Sequence, residues 1–541
     1  MALRSEPVPM PEKRITFKPN SNGSVYVYYT LRAYRNKDGK PTSDEASIGK
    51  KDLDTGMLIP NRRYFELFQG PPEMRGAKTT AMLKPAPSRI ASCGNAYALM
   101  EAATMTGLRG ALEECFPGAW DKILAAAFYM LCEGNVMMYI NDWFDETDVP
   151  FADQMDDQQC SRLFASIAYD ERVKFFKKWV ALRSESEYIA YDVTSVSTYS
   201  KGVDIAEWGY NRDSEKLPQV NIGMFYGAES FLPVCYSVYN GSVPDKSHLV
   251  FMMGEAEKLG VSSARFVLDR GFMVEGNIRY MAEKKHVYVT AYPGNFVEAK
   301  KIIDENKGDI RKAANRVSRF DVYAKPVDIG LYGHKAKAHI YFDAEKQALD
   351  EKELYAHIER LSADLEKIGK SKRVSRKHTE YFKVVQDKQE KFSFAPDNEK
   401  IDKRLSRAGF FILISNDEIL SSEEVLRIYR GKDVIEKNFD QFKNGLDFKR
   451  LRTHVNRTTD GKIFVGFLAL ILRSFLLNKI KSNPETKHLT LEKVLIELRK
   501  IRTVTFEDLS RILMPLTKLQ KTILKSINIT PKKLIDSFAK N

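Results

Sequence analysis

Cysteine is scarce in this sequence: 541 residues carry five, Cys93, Cys115, Cys132, Cys160 and Cys235, and no two have the close spacing of a zinc site or redox pair. That scatter excludes a disulfide scaffold and points to a reducing compartment. Histidine is sparse too. His248, His286 and His454 lie too far apart to suggest a ligand set, so each is expected as a satisfied or exposed side chain. No glycine-rich phosphate loop occurs between about 95 and 182. No basic start followed by an apolar run marks a secretion signal. The most apolar stretch, Ile463 to Leu477, is interrupted by Arg473 and too short to span a bilayer, which leaves a buried helix. Lysine and arginine, by contrast, are plentiful: 85 against 72 acids, a formal charge of +13 and a pI near 9.1, a balance that suits a polyanionic partner without demanding one. A hydrophobic fraction of 43%, with 31 Phe and 25 Tyr, is that of a folded chain long enough for about three or four domains.

Local patterning divides the chain. Val25 to Leu31 is rich in Val and Tyr, and Asp38-Gly39 is a hairpin turn signal leading to Ser47-Ile48-Gly49, so 1–65 reads as a small β-domain and a candidate for DNA binding. Gly70, Pro71, Pro72, Gly76, Pro85 and Pro87 punctuate a linker over 66–94. Ala-, Leu- and Met-rich runs over 95–185 predict a helical domain, a second DNA-binding candidate. Strand patterns follow at Tyr188 to Val193, Gln219 to Tyr226 and Leu232 to Tyr239, then at Phe266 to Asp269 and Val287 to Tyr292. Helical patterns flank the fourth of them. Three meander-like strands and then helix-strand alternation predict an α/β fold, a ribonuclease-H-like mixed sheet over 186–300 and 421–460.

After Pro293 the last helix of such a core does not come, and 301–420 reads as an inserted subdomain. Leu354, Ile358, Leu361, Leu365 and Ile368 alternate there at helical spacing, and the basic run Lys370, Lys372, Arg373, Arg376 and Lys377 follows. Phe410 to Ile414 reads as a strand, and Ser421 and Glu424 have capping-box spacing. From 461 to 541 the pattern is helical.

Three acids stand out against this background. Asp192 interrupts and Asp269 ends an apolar strand run. Glu436 edges an apolar stripe, where a lone carboxylate is costly to desolvate without a cation. Two strand carboxylates and one on a later helix can converge on a pair of Mg²⁺ ions roughly 3.5 to 4 Å apart, an arrangement that cuts phosphodiester bonds by in-line attack. Tyr429, Glu436 and Lys443 recur seven residues apart, which on a regular helix stacks them along one stripe with Lys432 between.

These features resemble the DDE transposases of bacterial insertion sequences, in the insertion-sequence-four superfamily with its Tyr-Arg-Glu-Lys signature. Tyr429, Glu436 and Lys443 fall into register with that signature, while Lys432 occupies the Arg position and keeps the charge without the bidentate fork. The resemblance covers about 187 to 480. It implies that Asp192 bridges two divalent ions and that Asp269 and Glu436 each help hold one, with Mg²⁺ as the metal and Mn²⁺ able to substitute. It implies that Tyr429, Arg430, Lys432 and Lys443 contact DNA. It further implies cleavage at terminal inverted repeats, joining of 3′ ends to target DNA, a homodimer or larger paired-end complex, and a bacterial cytoplasmic, nucleoid-associated location. Each of the four tryptophans, Trp120, Trp143, Trp179 and Trp208, is expected to pack in a core, with stacking of one of them on an extruded base as the alternative that the resemblance raises. Two rival readings stand beside this one: a nuclease on the same core that does not join strands, and a domesticated DNA-binding protein without chemistry.

Overall fold

The computed structural model of the chain describes residues 7–539 except 22, 37–38, 69–86, 183–186, 262–263, 369–373, 387–391, 433–438 and 508–509. It comprises two units, Met1–Ala86 and Pro87–Asn541. In the first, β1 (Ile15–Pro19), β2 (Val25–Arg35), β3 (Pro41–Lys51) and β4 (Leu58–Pro60) form an antiparallel sheet in chain order, followed by helix α1 (Arg62–Phe68). Val8, Val27, Ile48, Leu58, Tyr64 and Phe68 make its own small core. Gly39, in the turn between β2 and β3, takes φ +77°, the left-handed region that the turn demands. Asp38 and most of the expected linker lie outside the described residues.

The second unit opens with β5 (Pro87–Ser92) and six helices, α2 (Gly94–Met105), α3 (Leu108–Cys115), α4 (Trp120–Glu133), α5 (Ile140–Glu146), α6 (Asp157–Ser166) and α7 (Tyr169–Ala181). The meander follows as expected: β6 (Tyr188–Ser197), β7 (Gln219–Gly227) and β8 (Pro233–Asn240) pair antiparallel. Helix α8 (Asp245–Lys258) then crosses to β9 (Arg265–Leu268), which lies parallel to β6 on its free side. Helix α9 (Glu275–Glu283) crosses in turn to β10 (Val287–Tyr292), parallel to β9. All of β7 and most of β6 are buried. A centre covered on both faces explains why these strands read as near-continuous apolar runs.

The segment 301–420 departs from the expected single insertion. Helix α10 (Val297–Asn306) does follow Pro293, and β11 (Arg316–Val317), β12 (Val322–Leu331) and β13 (His334–Phe342) then extend the main sheet instead of leaving it. They reach it through β16 (Phe410–Ser415), which pairs antiparallel with both β10 and β13 and completes nine strands in the order β11-β12-β13-β16-β10-β9-β6-β7-β8. Strand β10 would otherwise present a buried edge of unpaired amides, so covering it is favourable. Only the stretch between β13 and β16 has a separate core. It holds α11 (Ala344–Ile368), α12 (Arg376–Thr379), the hairpin β14 (Phe382–Gln386) and β15 (Phe392–Pro396), and α13 (Asn398–Leu405). Leu354, Leu361 and Leu365 of the apolar repeat pack there on Tyr381, Phe382 and Ile401. Of the basic run, Lys370, Lys372 and Arg373 lie outside the described residues.

Helix α14 (Ser422–Gly431) starts at the capping box: the Glu424 amide donates to Ser421 Oγ over 3.3 Å and the Ser421 amide to the Glu424 carboxylate over 2.9 Å. The C-terminal region is not helical throughout. Helices α15 (Asn456–Ser482) and α16 (Leu491–Arg499) lead into β17 (Arg502–Phe506) and β18 (Arg511–Leu513), which join β5 in a sheet of order β18-β17-β5, and α17 (Lys518–Ser526) and α18 (Pro531–Ala539) follow. At 27 residues α15 is long and apolar enough to cross a bilayer, longer than its apolar run suggests, yet most of it is buried in the core. Phe464 of α15 meets the rings of Phe116, Phe175 and Phe176. A Cβ on Gly461 would lie 2.0 Å from the Phe164 carbonyl oxygen, so α15 and α6 touch backbone to backbone. The helices of 94–181 therefore share one core with the C-terminal helices and are not a detachable domain.

Candidate active site

Asp192 and Asp269 meet because of strand register. Tyr191 of β6 is opposite Leu268 of β9, so the next residue on each strand is an aspartate, one within β6 and one just past the end of β9. Both line a cavity of about 390 Å³. A parallel pair of central strands thus places two carboxylates side by side at the C-terminal end of β9, where chemistry in open α/β sheets is commonly sited.

The cavity's far wall is the loop between β6 and β7 packed on the loop after β8. Gly209 and Gly241 make this possible, because a Cβ on Gly209 would lie 1.9 Å from the Gly241 carbonyl oxygen. Glu207 pairs with Gln219 through the backbone, and the Gln219 amide donates to the Tyr210 carbonyl over 2.9 Å, which fixes the loop. A third acid in the cavity, Asp245, is already matched: Arg212 donates to Oδ2 over 2.7 Å and the Tyr239 hydroxyl to Oδ1 over 2.8 Å. Asp192 Oδ1 accepts from the Val193 amide over 2.8 Å. Burial, aided by the charge of Asp192, holds the neighbouring Tyr226 phenol well above its usual range.

Two side chains of the Tyr-Lys stretch converge on Asp269. The Tyr429 hydroxyl donates to Oδ1 over 3.4 Å, and Lys432 Nζ lies 3.4 Å from the same oxygen while the lysine itself is buried. Burial first and Asp269 second push the Tyr429 phenol up to about 12, so it remains a donor. The other two expected DNA contacts point elsewhere. Arg430 faces Asp343 at 3.8 Å and covers the Phe320 ring at 5.0 Å. Lys443 is buried and donates to Asp213 over 2.6 Å, beside Arg212.

The single helical stripe expected through Tyr429, Glu436 and Lys443 is not what the described residues form. Helix α14 ends at Gly431, and Lys443 lies in a π-helical turn, Gln441–Gly445, whose wider winding moves side chains off an α-helical phase. Glu436 itself lies outside the described residues. Among the described residues no group of three or more His, Cys, Asp or Glu side chains could hold a metal ion. Asp192 and Asp269 nonetheless form a hard-oxygen pair on one cavity, the donor type that Mg²⁺ and Mn²⁺ take.

Of the three histidines singled out, His454 is exposed and the other two have partners. His248 stacks on Tyr239 with centroids 3.6 Å apart, and buried His286 accepts from the Ala264 amide while facing Glu257. Among the tryptophans, Trp179 is fully buried and Trp143 nearly so, whereas Trp208, next to Gly209 in the cavity-wall loop, is 66% exposed. Sequence reasoning missed Arg212, Asp213 and Tyr210. The only local signal was a polar, aromatic loop between two buried strands.

A profile described as the transposase DDE domain matches residues 183–472. No curated protein matches the chain. A solved structure described as the piggyBac transposase synaptic complex with hairpin DNA aligns at 12% identity over 78% of this chain and 76% of that one, with a TM-score of 0.34, a likeness too slight to carry any conclusion.

Proposed function

The chain belongs to the transposase DDE domain family, and from that premise we propose that it cuts DNA at the terminal repeats of a mobile element and joins the 3′ ends to target DNA. The observation that carries this reading is the register that sets Asp192 and Asp269 side by side on one cavity. The strand order β8-β7-β6-β9-β10, with β6, β9 and β10 parallel and β7 reversed, supports a ribonuclease-H-like core. In this reading Glu436 completes the carboxylate set, and the Tyr-Arg-Glu-Lys signature of the insertion-sequence-four superfamily runs through Tyr429, Lys432, Glu436 and Lys443.

Asp192 and Asp269 would hold divalent ions, Mg²⁺ or Mn²⁺, which would lower the pKa of the attacking water or 3′-hydroxyl and stabilise charge on the leaving oxygen. Tyr429 and Lys432 aim Asp269, a hydroxyl and an ammonium meeting the same carboxylate oxygen. Lys443 braces the loop carrying Asp213 and Arg212, which walls the cavity. Duplex DNA is the substrate, and a paired complex of two or more copies of the chain brings both ends together.

Recognition of the ends falls to the N-terminal segments. In the first unit Lys18 lies over the Tyr28 ring and Lys50 over Tyr26, and Phe17 and Tyr34 are exposed, a mix of cations and aromatics suited to nucleic acid. Deleting 1–86 should abolish preference for the terminal repeat over random duplex while leaving the second unit folded. Deleting 1–182 would strip helices from the shared core and is a poor test. The chemistry is tested by incubating the protein with duplex carrying its element's flanking repeats. Cutting with Mg²⁺ and strand joining are expected. Cutting without joining would favour a nuclease, and no cutting with either metal would favour a DNA-binding protein without chemistry.

A further inference from the structure

A second cavity adjoins the first at the same turn of chain. Asp269 and Gly271 line the carboxylate cavity, whereas Arg270 lines a cleft of about 710 Å³ on the other side. Tyr429, whose hydroxyl reaches Asp269, lines that cleft as well. The cleft runs between α10, the β10 and β16 ends and α13, so it joins the catalytic sheet to the separately cored part of the insertion. Seven Lys and Arg side chains line it against two acids, Asp350 and Glu380.

Some of that charge is matched. Lys346 pairs with Asp350 at 2.7 Å, Lys400 with Asp397 at 3.2 Å, and Arg407 with Asp304. Glu380 and Arg404 act against one another at the Tyr381 hydroxyl. Arg270, Lys300 and Lys403 have no acidic partner among the described residues. They come from three different elements and leave a net positive cleft. Tyr292, Phe410 and Phe411 add apolar and aromatic wall between them.

Cations lining a groove with aromatic rings between them are the chemistry of a single nucleic-acid strand, whose phosphates take the charges and whose bases take the rings. We propose that this cleft holds an unpaired DNA strand leading to or from the carboxylate pair, with Lys300 and Lys403 on its phosphates. The inference rests on the chain's acting on DNA at Asp192 and Asp269.

The test uses the full chain in excess chelator, with a fluorescein-labelled oligothymidylate of about 12 nucleotides and a blunt duplex as probes, each titrated across salt by anisotropy. The double variant Lys300→Ala/Lys403→Ala should bind oligothymidylate about tenfold more weakly. Its log-log salt slope should be shallower by about 1.4, two phosphates at roughly 0.7 each. Lys300→Arg/Lys403→Arg should keep both, and duplex binding should be unchanged in all three proteins. An unchanged oligothymidylate slope in the alanine variant overturns the proposal, as does an equal loss on duplex, which would make the cleft a duplex contact. Asp192→Ala should bind oligothymidylate as the wild type does. If the wild type cuts no duplex with Mg²⁺ or Mn²⁺ and the alanine variant still loses oligothymidylate, the catalytic reading fails and the cleft stands. Cutting with an indifferent alanine variant gives the reverse.

Discussion

On one side of the Asp269-Arg270 peptide the chain faces a cavity of about 390 Å³ holding three aspartates and one arginine; on the other it faces a cleft of about 710 Å³ lined by seven cations and two acids. The acidic cavity is built at the centre of the sheet, from strands buried on both faces and a loop locked by two touching glycines. The basic cleft is built where the sheet meets the insertion, and four of its seven cations are exposed enough to be rearranged by a ligand. Rigid placement suits groups that must aim at reacting atoms, while a looser row of charges suffices to follow a backbone. Tyr429, bonded to Asp269 and lining the cleft, ties the two together.

The sharpest way to separate them is to empty the acidic side. Asp192→Ala and Asp269→Ala should each lower duplex cleavage by about a thousandfold or more, read as initial rates on labelled DNA, because each removes a group that holds charge where it develops. Single-strand binding in the cleft should not change. Residual cleavage within tenfold of wild type would remove that aspartate from the site.

The next effect is on the frame of the cleft. Arg407→Ala leaves Asp304 with Lys307 alone, and the Arg407 bond is the main cause that holds the Asp304 carboxyl down at about 2. Losing a mostly buried arginine from this pair should cost about 2 kcal/mol in urea unfolding. Cleavage per folded molecule should stay near wild type, and a selective loss of cleavage would mean the two regions are coupled more tightly than their shared tyrosine implies.

Tyr429→Phe tests that shared point. Removing one donor to Asp269 should slow cleavage about tenfold, about 1.4 kcal/mol in the barrier, with oligothymidylate affinity unchanged because the ring remains. An equal loss in both assays would place the hydroxyl on DNA instead of on Asp269.

The smallest effect concerns stability alone. His339 on β13 is fully buried with Nδ1 2.9 Å from Ser422 Oγ, and burial pulls its pKa down to about 4. An unfolded histidine titrates near 6.5, so the unfolded chain takes up the proton first. The stabilisation is complete above about pH 6.5 and is lost as pH falls from there towards 4. His339→Gln should flatten part of the fall in thermal midpoint between pH 7 and 4.5. His248, also pulled down to about 4, should retain its own share. An identical pH profile in the variant would show that His339 is not buried as described.

What could be read from the chain was local. Short apolar runs placed β6 to β10, the spacing of Ser421 and Glu424 placed the start of α14, and acids interrupting apolar runs marked Asp192 and Asp269. Each of these signals is carried by neighbours within a few residues, where helix and strand periodicity act. The partners of Lys443 and Arg407 were not legible, because Asp213 is 230 residues from Lys443 and Asp304 is 103 from Arg407. Nor could the sequence show that 322–342 and 410–415 would close the edge of β10, or that helices before residue 182 would pack on α15. Strand pairing and core sharing are settled by which surfaces remain uncovered once every local element has formed, and that is a property of the whole chain. The two aspartates were visible as residues, but their adjacency was decided by the parallel register of β6 and β9, strands brought together only through the helix α8 crossover.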